Sequence, residues 1–501
     1  FFFTNIPQNP MLRSLVGSEM CIRDSLRSLK CLPFELKRKF AAKALGYKKM
    51  SDQLHYLSIS ELSKLIETKV ISPVEVTKLL LSRITAIDPE LKSYATVMVD
   101  EAMIEAEKAE EDIMKGKYRG PLHGVPIAIK DLCFTKGVRT MGGTAVLEDF
   151  VPEFDSTVVK KFKEAGAVLL GKLNLTEGAM AGYNPRRDVP QNPWRKDHWP
   201  GASSSGSGVA TAAGLAFATL GSDTGGSIRH PAAVCGTVGL KPTWGRVSRY
   251  GVLDLAQSLD HVGPLTRTVI DAGLVMQVIS GEDPNDPTSL LAPVPNLLET
   301  VNKGLTGLKI GWDQEYSSQD IETDFTEAMS AALNIMRDLG AEIIEVSMPK
   351  RLREYLAAWP VLCSSEAADA HREFFPDRNN EYGLWFKEWL KRGEKFSSKD
   401  YVRAQEARML CNGELHKTME GIDLLLCPSS PRAAYPYTEE DAYGPIPKNR
   451  DPWDSRFTVP MDFSGLPTIA MPCGFNTVSY THLRAHETPE HRGLRLGGGK
   501  K

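Results

Sequence analysis

Residues 221–231 read GSDTGGSIRHP, and a second tract of small residues, GASSSGSG, stands at positions 201–208. Ser227 in the first tract lies 24 residues after Ser203 in the second. A catalytic serine needs backbone N–H groups aimed at the oxyanion of its substrate, and a Gly-Gly-Ser sequence lets the backbone come close enough to present them. The two tracts therefore predict a site with a catalytic serine.

The composition is that of a soluble globular protein with a large core. The chain has 501 residues, of which 42% are hydrophobic and 25% charged, and a formal net charge of −3. No run approaches the roughly 18 uninterrupted apolar residues of a membrane-spanning helix, and the charge gives no attraction to nucleic acid or anionic lipid. The eight cysteines form no CxxC pair, so we expect no structural zinc site. A small-molecule substrate fits this composition best.

Both ends of the chain differ from the rest. Residues 1–25 and 478–501 resemble translated sequencing-adaptor sequence, so we expect neither to carry function, and the histidines of the second stretch are not predicted to bind a metal. Residues 26–49 are basic. If they were a transit peptide the protein would be mitochondrial, but their charge is mostly lysine, and we expect a cytoplasmic protein that starts near Met50.

Predicted strands and helices alternate along the middle of the chain. Helix-capping sequences begin at Ser58 and Ser72, and apolar runs such as 125–129 predict buried strands. The other predicted strands are 167–170, 308–310, 342–346 and 422–427, and the other predicted helices are 102–114, 156–164, 209–220, 266–279, 324–339 and 401–419. This alternation indicates an α/β fold with a largely parallel sheet.

Two phosphate-binding patterns are incomplete. Residues 166–172 match GxxxxGK, but Leu173 stands where a serine or threonine would bind magnesium, and the four middle residues are apolar strand. Gly206 and Gly208 lack the third glycine of a dinucleotide-binding motif, because Thr211 occupies its position. We therefore expect no nucleotide cofactor.

Lys130 is the candidate base for the catalytic serine. A serine hydroxyl must lose its proton to a base as it attacks, and no GxSxG elbow with a partner histidine is present. His230 follows Ser227 so closely that we expect it to cap or pack. A lysine can serve as a base when burial lowers its pKa from about 10.4. Lys130 ends the apolar run 125–129 and meets this condition.

Three segments in this order resemble the amidase signature family: PLHGVPIAIKD at 121–131, GASSSGS at 201–207 and GGSIRHP at 225–231. The resemblance covers about residues 54–476. It implies one large α/β domain, placed at 50–477, with a central mixed, mostly parallel sheet flanked by helices. It also implies an amide hydrolase that needs no metal or organic cofactor.

The resemblance implies a role for each matched residue. Ser227 would be the nucleophile that forms the acyl-enzyme, Lys130 the base, and Ser203, preceded by a cis peptide bond, the residue that passes the proton between them. The predicted oxyanion hole consists of the backbone N–H groups of Thr224, Gly225, Gly226 and Ser227. The predicted supporting residues are Ser204 by hydrogen bonding, Arg229 as an anchor of the loop, and Asp223 as an orienting group or a structural cap.

The substrate and the assembly are less determined. Met180 and the proline-rich segment 428–452, which is either a pocket lid or a surface connection, are candidates for substrate binding. Because residues 173–184 depart from the phenylalanine-bearing pattern of the amidotransferase subunit, we favour a stand-alone amidase. The alternatives are the glutamine-hydrolysing subunit of a tRNA-dependent amidotransferase and an inactive, truncated scaffold, since the family would continue into a further strand and helix after 476. We expect no direct nucleic-acid or membrane partner, and a homodimer is one possible assembly.

Overall fold

One sheet runs through the whole molecule. The computed structural model describes residues 54–449 and 451–475 and the backbone of residues 480–487. The described residues contain eleven strands, which are β1 (Tyr94–Val97), β2 (Pro126–Lys130), β3 (Val168–Leu173), β4 (Ala218–Asp223), β5 (Val238–Lys241), β6 (His261–Thr266), β7 (Lys309–Trp312), β8 (Glu342–Glu345), β9 (Leu424–Pro428), β10 (Thr468–Phe475) and β11 (Tyr480–Glu487). Their order across the sheet is β1-β3-β2-β4-β6-β5-β10-β11-β9-β7-β8.

The sheet is mixed, and its parallel pairs lie in two blocks. In the first block β2 pairs in parallel with β3 and β4, and in the second β7 pairs in parallel with β8 and β9. The six other pairs are antiparallel. The prediction of a mixed α/β domain is confirmed. The parallel share is smaller than the alternation of helices and strands indicated, because the four strands that join the two blocks, β5, β6, β10 and β11, all form antiparallel pairs.

Helices pack around this sheet. The described residues form fifteen α-helices, which are α1 (Ile59–Glu67), α2 (Pro73–Leu91), α3 (Val99–Met114), α4 (Thr157–Ala165), α5 (Ser205–Ala212), α6 (Arg229–Cys235), α7 (Val269–Ile279), α8 (Gln314–Ser318), α9 (Thr323–Asp338), α10 (Leu352–Leu356), α11 (Ala358–Ala370), α12 (Leu384–Lys395), α13 (Ser398–Thr418), α14 (Glu439–Tyr443) and α15 (Val459–Phe463). Short 3₁₀ turns are present at Leu54–Tyr56, Glu177–Ala179, Asn379–Glu381 and Pro452–Ser455.

The predicted helix starts are confirmed. Ser58 caps α1, and its side chain and that of Glu61 form the reciprocal hydrogen bonds of a capping box. Ser72 caps α2, which has Pro73 as its first residue. Both caps satisfy N–H groups that have no partner within the helix, and α1 and α2 bury their apolar faces in the core.

The predicted helix at 209–220 is wrong in its second half. The helix α5 ends at Ala212, and residues 218–223 form the central strand β4. Gly214 ends the helical turn with φ of 65°, and a Cβ there would lie 2.9 Å from the ring of His55. A run of small residues has no periodicity that separates a helix from a buried strand, so the sequence did not mark this change.

One large hydrophobic core lies on both sides of β2. It includes residues from Leu54 to Phe463, and all five residues of β2 are buried. The predicted segments 1–25 and 26–49 and most of 478–501 lie outside the described residues, and their assignments stay predictions. Among the described helices, none combines the length and apolar composition that crossing a membrane requires.

Candidate active site

The candidate site lies where two parallel strands end. Lys130 is the last residue of β2, and Ser222 and Asp223 are the last two residues of β4 beside it. The carboxyl ends of neighbouring parallel strands meet at one edge of a sheet, where side chains from separate parts of a chain can converge. This register brings Lys130 to the two serine tracts that follow later in the sequence.

Lys130 is fully buried among hydroxyl groups. Its Nζ lies 2.6 Å from Ser203 Oγ, 2.9 Å from Ser204 Oγ and 2.9 Å from Ser222 Oγ. No carboxylate of the described residues forms an ion pair with this amine. The sequence analysis missed Ser222, because only the pairing of β4 with β2 reveals that its side chain faces Lys130.

The buried position changes the acidity of this amine. Burial lowers the pKa of Lys130 to about 7, and the more distant Asp223 and Asp260 oppose that change only in part. A lysine with an ordinary pKa would be almost entirely protonated near neutral pH. Here a large fraction of Lys130 is neutral and able to accept a proton.

Ser203 and Ser204 are held rigidly in front of Lys130. The peptide bond between Ala202 and Ser203 is cis, as the family resemblance implied. The Ser203 carbonyl accepts a hydrogen bond from the N–H of Thr176 at 3.3 Å, and Ser204 Oγ donates to the Ser222 carbonyl at 3.2 Å. Neither serine is exposed to solvent. His230 packs against this tract, as expected, and its Nδ1 accepts from the Ala202 N–H at 3.4 Å.

Ser227 is the serine of the site that solvent reaches. Its residue is half-buried, whereas Ser203 is fully buried. The Ser227 carbonyl accepts from the N–H of Ser204 at 3.2 Å, which joins the two tracts directly. Its hydroxyl has no hydrogen-bond partner among the described residues.

Asp223 holds the loop that carries Ser227, which we call the nucleophile loop (residues 223–229). The carboxylate of Asp223 accepts from the N–H groups of Gly226 at 2.6 Å, Ile228 at 3.1 Å and Arg229 at 3.3 Å. These bonds both fix the turn before Ser227 and satisfy N–H groups at the start of α6. The same three hydrogen bonds therefore hold the loop that carries Ser227 and cap the helix α6, which are the two roles considered for Asp223.

Arg229 ties the nucleophile loop to a distant segment that the sequence analysis missed. Its Nε and Nη2 each donate to Asp223 at 2.7 Å, while Nη2 also donates to Asp462 at 2.7 Å and Nη1 to the Thr458 carbonyl at 3.0 Å. Burial alone would raise the pKa of Asp223, but the Arg229 guanidinium holds it well below its usual range. Burial raises the pKa of Asp462 to about 8. No sequence pattern links Asp462 to the serine tracts, since it lies 233 residues after Arg229.

Three of the four N–H groups predicted for the oxyanion hole make no hydrogen bond within the described residues. Those of Thr224, Gly225 and Ser227 have no acceptor among the described residues, whereas the Gly226 N–H is already bonded to Asp223. The predicted oxyanion hole thus loses one of its four donors in this structure. The Thr224 side chain is fixed by a hydrogen bond of 2.5 Å to Asp260, another residue that the sequence analysis missed.

The two predicted substrate-binding elements lie near the serine tracts. Met180 is buried, and its carbonyl accepts from Thr176, the residue that also contacts Ser203. The segment 428–452 packs on residues 183–199, with backbone hydrogen bonds such as that from Trp199 N–H to the Tyr435 carbonyl at 2.8 Å. Their contact with a substrate stays a prediction.

Lys172, in the discarded GxxxxGK pattern, is a structural residue. It lies within β3, and its Nζ donates to the Cys133 carbonyl at 2.7 Å and to Thr140 Oγ1 at 2.6 Å, with Asp131 at 3.4 Å. Its amine therefore points into the core beside a carboxylate. Within the described ranges no group of three or more His, Cys, Asp or Glu side chains is arranged to hold a metal ion.

Comparison with known proteins shows the family of the chain. The family model described as Amidase matches residues 75–494. The chain is 41% identical to AmiD of Mycobacterium tuberculosis (strain ATCC 25618 / H37Rv), whose name assigns it to the amidases, over 456 residues that cover 89% of this chain and 94% of that protein. It is 40% identical over 453 residues to a glutamyl-tRNA(Gln) amidotransferase subunit of Carboxydothermus hydrogenoformans, covering 85% and 92% of the two chains.

A solved structure gives the same result for the fold. A crystal structure of an amidase matches with a TM-score of 0.77 and 32% sequence identity, and the match covers 88% of this chain and 98% of that one. The chain belongs to the amidase signature family and is an amide-hydrolysing enzyme.

Proposed function

We propose that this enzyme is a stand-alone amidase in which Ser227 attacks a non-peptide amide carbonyl and Lys130 accepts the proton through Ser203. The observation that carries the proposal is the contact of 2.6 Å between Lys130 Nζ and Ser203 Oγ, in a pocket where the amine has only hydroxyl partners. A buried amine without a carboxylate partner is stable in its neutral form, which is the form that a base requires.

The three hydroxyl contacts match the bonding capacity of a neutral amine. A neutral amine has two N–H donors and one lone pair. If the two donors serve Ser204 and Ser222, the lone pair is directed at the Ser203 hydroxyl, which then donates to it. Ser203 Oγ is left to accept a proton from Ser227, whose hydroxyl makes no hydrogen bond among the described residues and has to turn toward Ser203 for the transfer. Ser227 is half-buried, whereas Ser203 and Lys130 are fully buried. This difference supports proton transfer from Ser227 at the surface of the site through Ser203 to Lys130.

The reaction then proceeds in two halves. As Ser227 Oγ forms a bond to the carbonyl carbon, its proton moves to Ser203, and the proton of Ser203 moves to Lys130. The tetrahedral intermediate collapses when the C–N bond breaks and the relay returns one proton to the leaving nitrogen, which gives an acyl-enzyme and an amine. Water repeats the attack on the ester carbonyl and releases the acid and Ser227.

We infer that the unbonded N–H groups of Thr224, Gly225 and Ser227 stabilise the oxyanion of each intermediate. Donors of this kind contribute most when they are fixed before the charge develops. Asp223 and Asp260 fix them here, because Asp223 binds the turn and Asp260 binds the Thr224 side chain. Ser204 and Arg229 support the same arrangement by holding Lys130 and Asp223 in place.

The test is a covalent adduct on Ser227. Wild-type enzyme incubated with an activated amide or ester should gain the mass of the acyl group on the peptide that contains Ser227, and Ser227→Ala should lose both the adduct and the activity by at least about a thousandfold. Ser222→Ala removes a hydroxyl that contacts Lys130 but lies outside the relay, and should retain an adduct. Retention of most of the activity by Ser227→Ala would reject the assignment.

A separate activity assay distinguishes a stand-alone amidase from an amidotransferase subunit. A stand-alone amidase hydrolyses simple amides without other subunits. An amidotransferase subunit would instead hydrolyse glutamine and deliver ammonia to a charged tRNA only within its complex. Glutaminase activity that depends on added amidotransferase subunits, without activity on simple amides, would favour the second function.

A further inference from the structure

Trp359, in α11, lies directly against the nucleophile loop. Its indole N–H donates to the Thr224 carbonyl at 2.9 Å. A Cβ built on Gly225 would lie 2.6 Å from the six-membered ring of the indole, so the absence of a side chain at Gly225 makes room for the ring. The indole is therefore fixed next to two of the proposed oxyanion donors.

A buried aromatic cluster supports Trp359 from behind. Its ring centroid is 5.7 Å from that of Trp389, which is 5.6 Å from that of Trp385. Trp389 and Trp385 are 2% and 6% exposed, whereas Trp359 is half-buried. Trp385 also packs on Gly182, next to the segment that contains Met180. Part of the Trp359 ring thus remains accessible beside Gly225, which is itself half-buried.

This indole touches uncharged groups: the Thr224 carbonyl, Gly225 and the ring of Trp389. The Arg392 guanidinium belongs to the cluster behind it, over the ring of Trp389 at 5.8 Å from the centroid. At Gly226 the nearest atoms to a built Cβ belong to the Thr458 side chain. The charged groups of the loop, Asp223 and Arg229, are fully buried and bonded to each other and to Asp462. A charged substrate group placed against Trp359 would lose its hydration without gaining an ion pair, which is unfavourable. An aromatic or apolar group would instead gain ring contact.

We propose that Trp359 forms one wall of the substrate pocket and binds a flat, uncharged group next to the scissile amide, so that the preferred substrates are aromatic or bulky apolar amides. The proposal deepens the amidase function above and rests on Ser227 as the nucleophile. In this proposal Trp359 determines substrate specificity. A free amino acid such as glutamine would be a poorer substrate, because its ammonium and carboxylate groups would need charged partners.

The test compares substrates with and without a ring. Benzamide carries the ring on the acyl side, acetanilide carries it on the nitrogen side, and acetamide has no ring. Trp359→Ala should lower kcat/KM on at least one of the two ringed amides by about tenfold or more, and on acetamide by no more than about twofold. Trp359→Phe should restore most of the loss, because it keeps a flat apolar face.

A matched control is available in Trp194. Its indole N–H also donates to a backbone carbonyl, that of Cys235 at 2.7 Å, and its side chain is 47% exposed. Trp194→Ala should therefore leave the ratio of benzamide to acetamide activity unchanged. An equal loss on ringed amides and acetamide in Trp359→Ala, or no loss on either ringed amide, would overturn the proposal.

A binding measurement separates this proposal from the proposed function. Boronic acids add to a nucleophilic serine, so phenylboronic and methylboronic acid should both inhibit the wild type. Trp359→Ala should weaken only phenylboronic acid, by about tenfold. Inhibition of the wild type by neither compound would contradict Ser227 as the nucleophile. Inhibition by both, with an equal change in the variant, would contradict only the role of Trp359.

Discussion

Lys130 and Lys172 lie on neighbouring strands, and both are fully buried, yet their surroundings give them different chemistry. Lys172 has a carboxylate, Asp131, at 3.4 Å, whereas Lys130 has hydroxyl groups alone. A carboxylate favours the charged form of an amine, and hydroxyls provide much weaker compensation for its lost hydration. Burial lowers the pKa of both amines, and the two sites differ in what opposes it: a carboxylate in contact with Lys172, but only more distant carboxylates around Lys130.

This difference predicts the pH dependence of the reaction. The active form of Lys130 is neutral, and its fraction grows as the pH rises through the lowered pKa of about 7. With an uncharged amide as substrate, kcat/KM should rise between about pH 5 and pH 8 and then level off. Steady-state rates across this range measure the profile.

Lys130→Arg is the matched variant for that profile. A guanidinium has the same charge as a protonated lysine but stays protonated in proteins, so the variant should be inactive up to about pH 9. A wild-type profile that is flat or falls through neutral pH, or an active arginine variant, would contradict the assignment of Lys130 as the base.

At the scale of single residues, the sequence indicated those members of the candidate site that belong to short motifs. The structure brings Lys130 into contact with Ser203 and Ser204 and links Arg229 to Asp223, while the roles of these residues stay predictions. Asp462 could not be predicted, because it joins Arg229 only through the packing of α15, and no local pattern distinguishes it from other acidic residues.

At the scale of elements, the nucleophile loop depends on its glycines. Gly226 adopts φ of 127°, and a Cβ at this position would lie 2.8 Å from the Thr458 side chain. Residues other than glycine rarely adopt this backbone conformation. The turn that directs the free N–H groups therefore needs glycine for two separate reasons, its dihedral angle and its close contact.

Gly137→Ala is a control for Gly226→Ala, because it places a side chain at a positive φ outside the site and without crowding. Gly137 also has a positive φ, of 77°, but nothing lies within 4 Å of a Cβ built there. We expect Gly137→Ala to lower the free energy of unfolding by about 1–2 kcal/mol and to keep its kcat. Gly226→Ala should in addition lose kcat by about a hundredfold or more, because the oxyanion donors move.

Thermal unfolding and kcat on one amide measure both effects. If Gly226→Ala kept the kcat of Gly137→Ala, the turn at Gly226 would not determine the position of the oxyanion donors, and their proposed role would be rejected.

Helices and strands with a clear hydrophobic periodicity or a helix-capping residue were predictable from the sequence, and those without either were not. Helices α1 and α2 begin after the predicted capping residues, and the predicted ranges 324–339 and 401–419 overlap α9 and α13 closely. The strand β4 lies in a run of small residues that also suits a helix, and its prediction failed. This strand carries Ser222 and Asp223, so the same failure hid the third hydroxyl partner of Lys130.

At the scale of the whole molecule, the sheet is unevenly protected. The strand β2 lies between two parallel neighbours with every residue buried, and it carries Lys130. At the far edge, β8 pairs on one side only, and its four residues are half-buried or exposed. A smaller cluster, separate from the main core, packs beneath this edge, around Ile310 and Met329. The site is thus built on the most protected part of the sheet.

This unevenness predicts the order of local opening. Amide hydrogens of β8, such as those of Ile343 and Ile344, should exchange with solvent at least about a hundredfold faster than those of Ile127 and Ile129 in β2, since edge strands open with less free energy. Hydrogen–deuterium exchange followed by mass spectrometry of peptides measures both strands in one sample. Equal protection of the two peptides would show that the sheet opens only as one unit.

The order of strands could not be predicted from the sequence. The strands β5 and β10 are neighbours although Thr468, which pairs with Lys241, follows it by 227 positions in the sequence. Sequence patterns indicate that a strand exists, but pairing over such distances depends on how whole layers pack. The mixed α/β class was predictable because sequence patterns indicate which segments form strands. The two parallel blocks were not, because the pairing of distant strands depends on how whole layers pack.

The position of Trp359 has a consequence for how new activities could arise in this protein. The groups proposed for the chemistry come from the ends of β2 and β4 and from the two serine tracts, whereas the ring proposed to recognise the substrate is supplied by α11, more than a hundred residues later. Substitutions in α11 and α12 can therefore reshape selectivity while the reacting groups keep their supports. A mutational library confined to these two helices should yield many folded enzymes with altered preference and few inactive ones, which makes them a natural starting point for directed evolution.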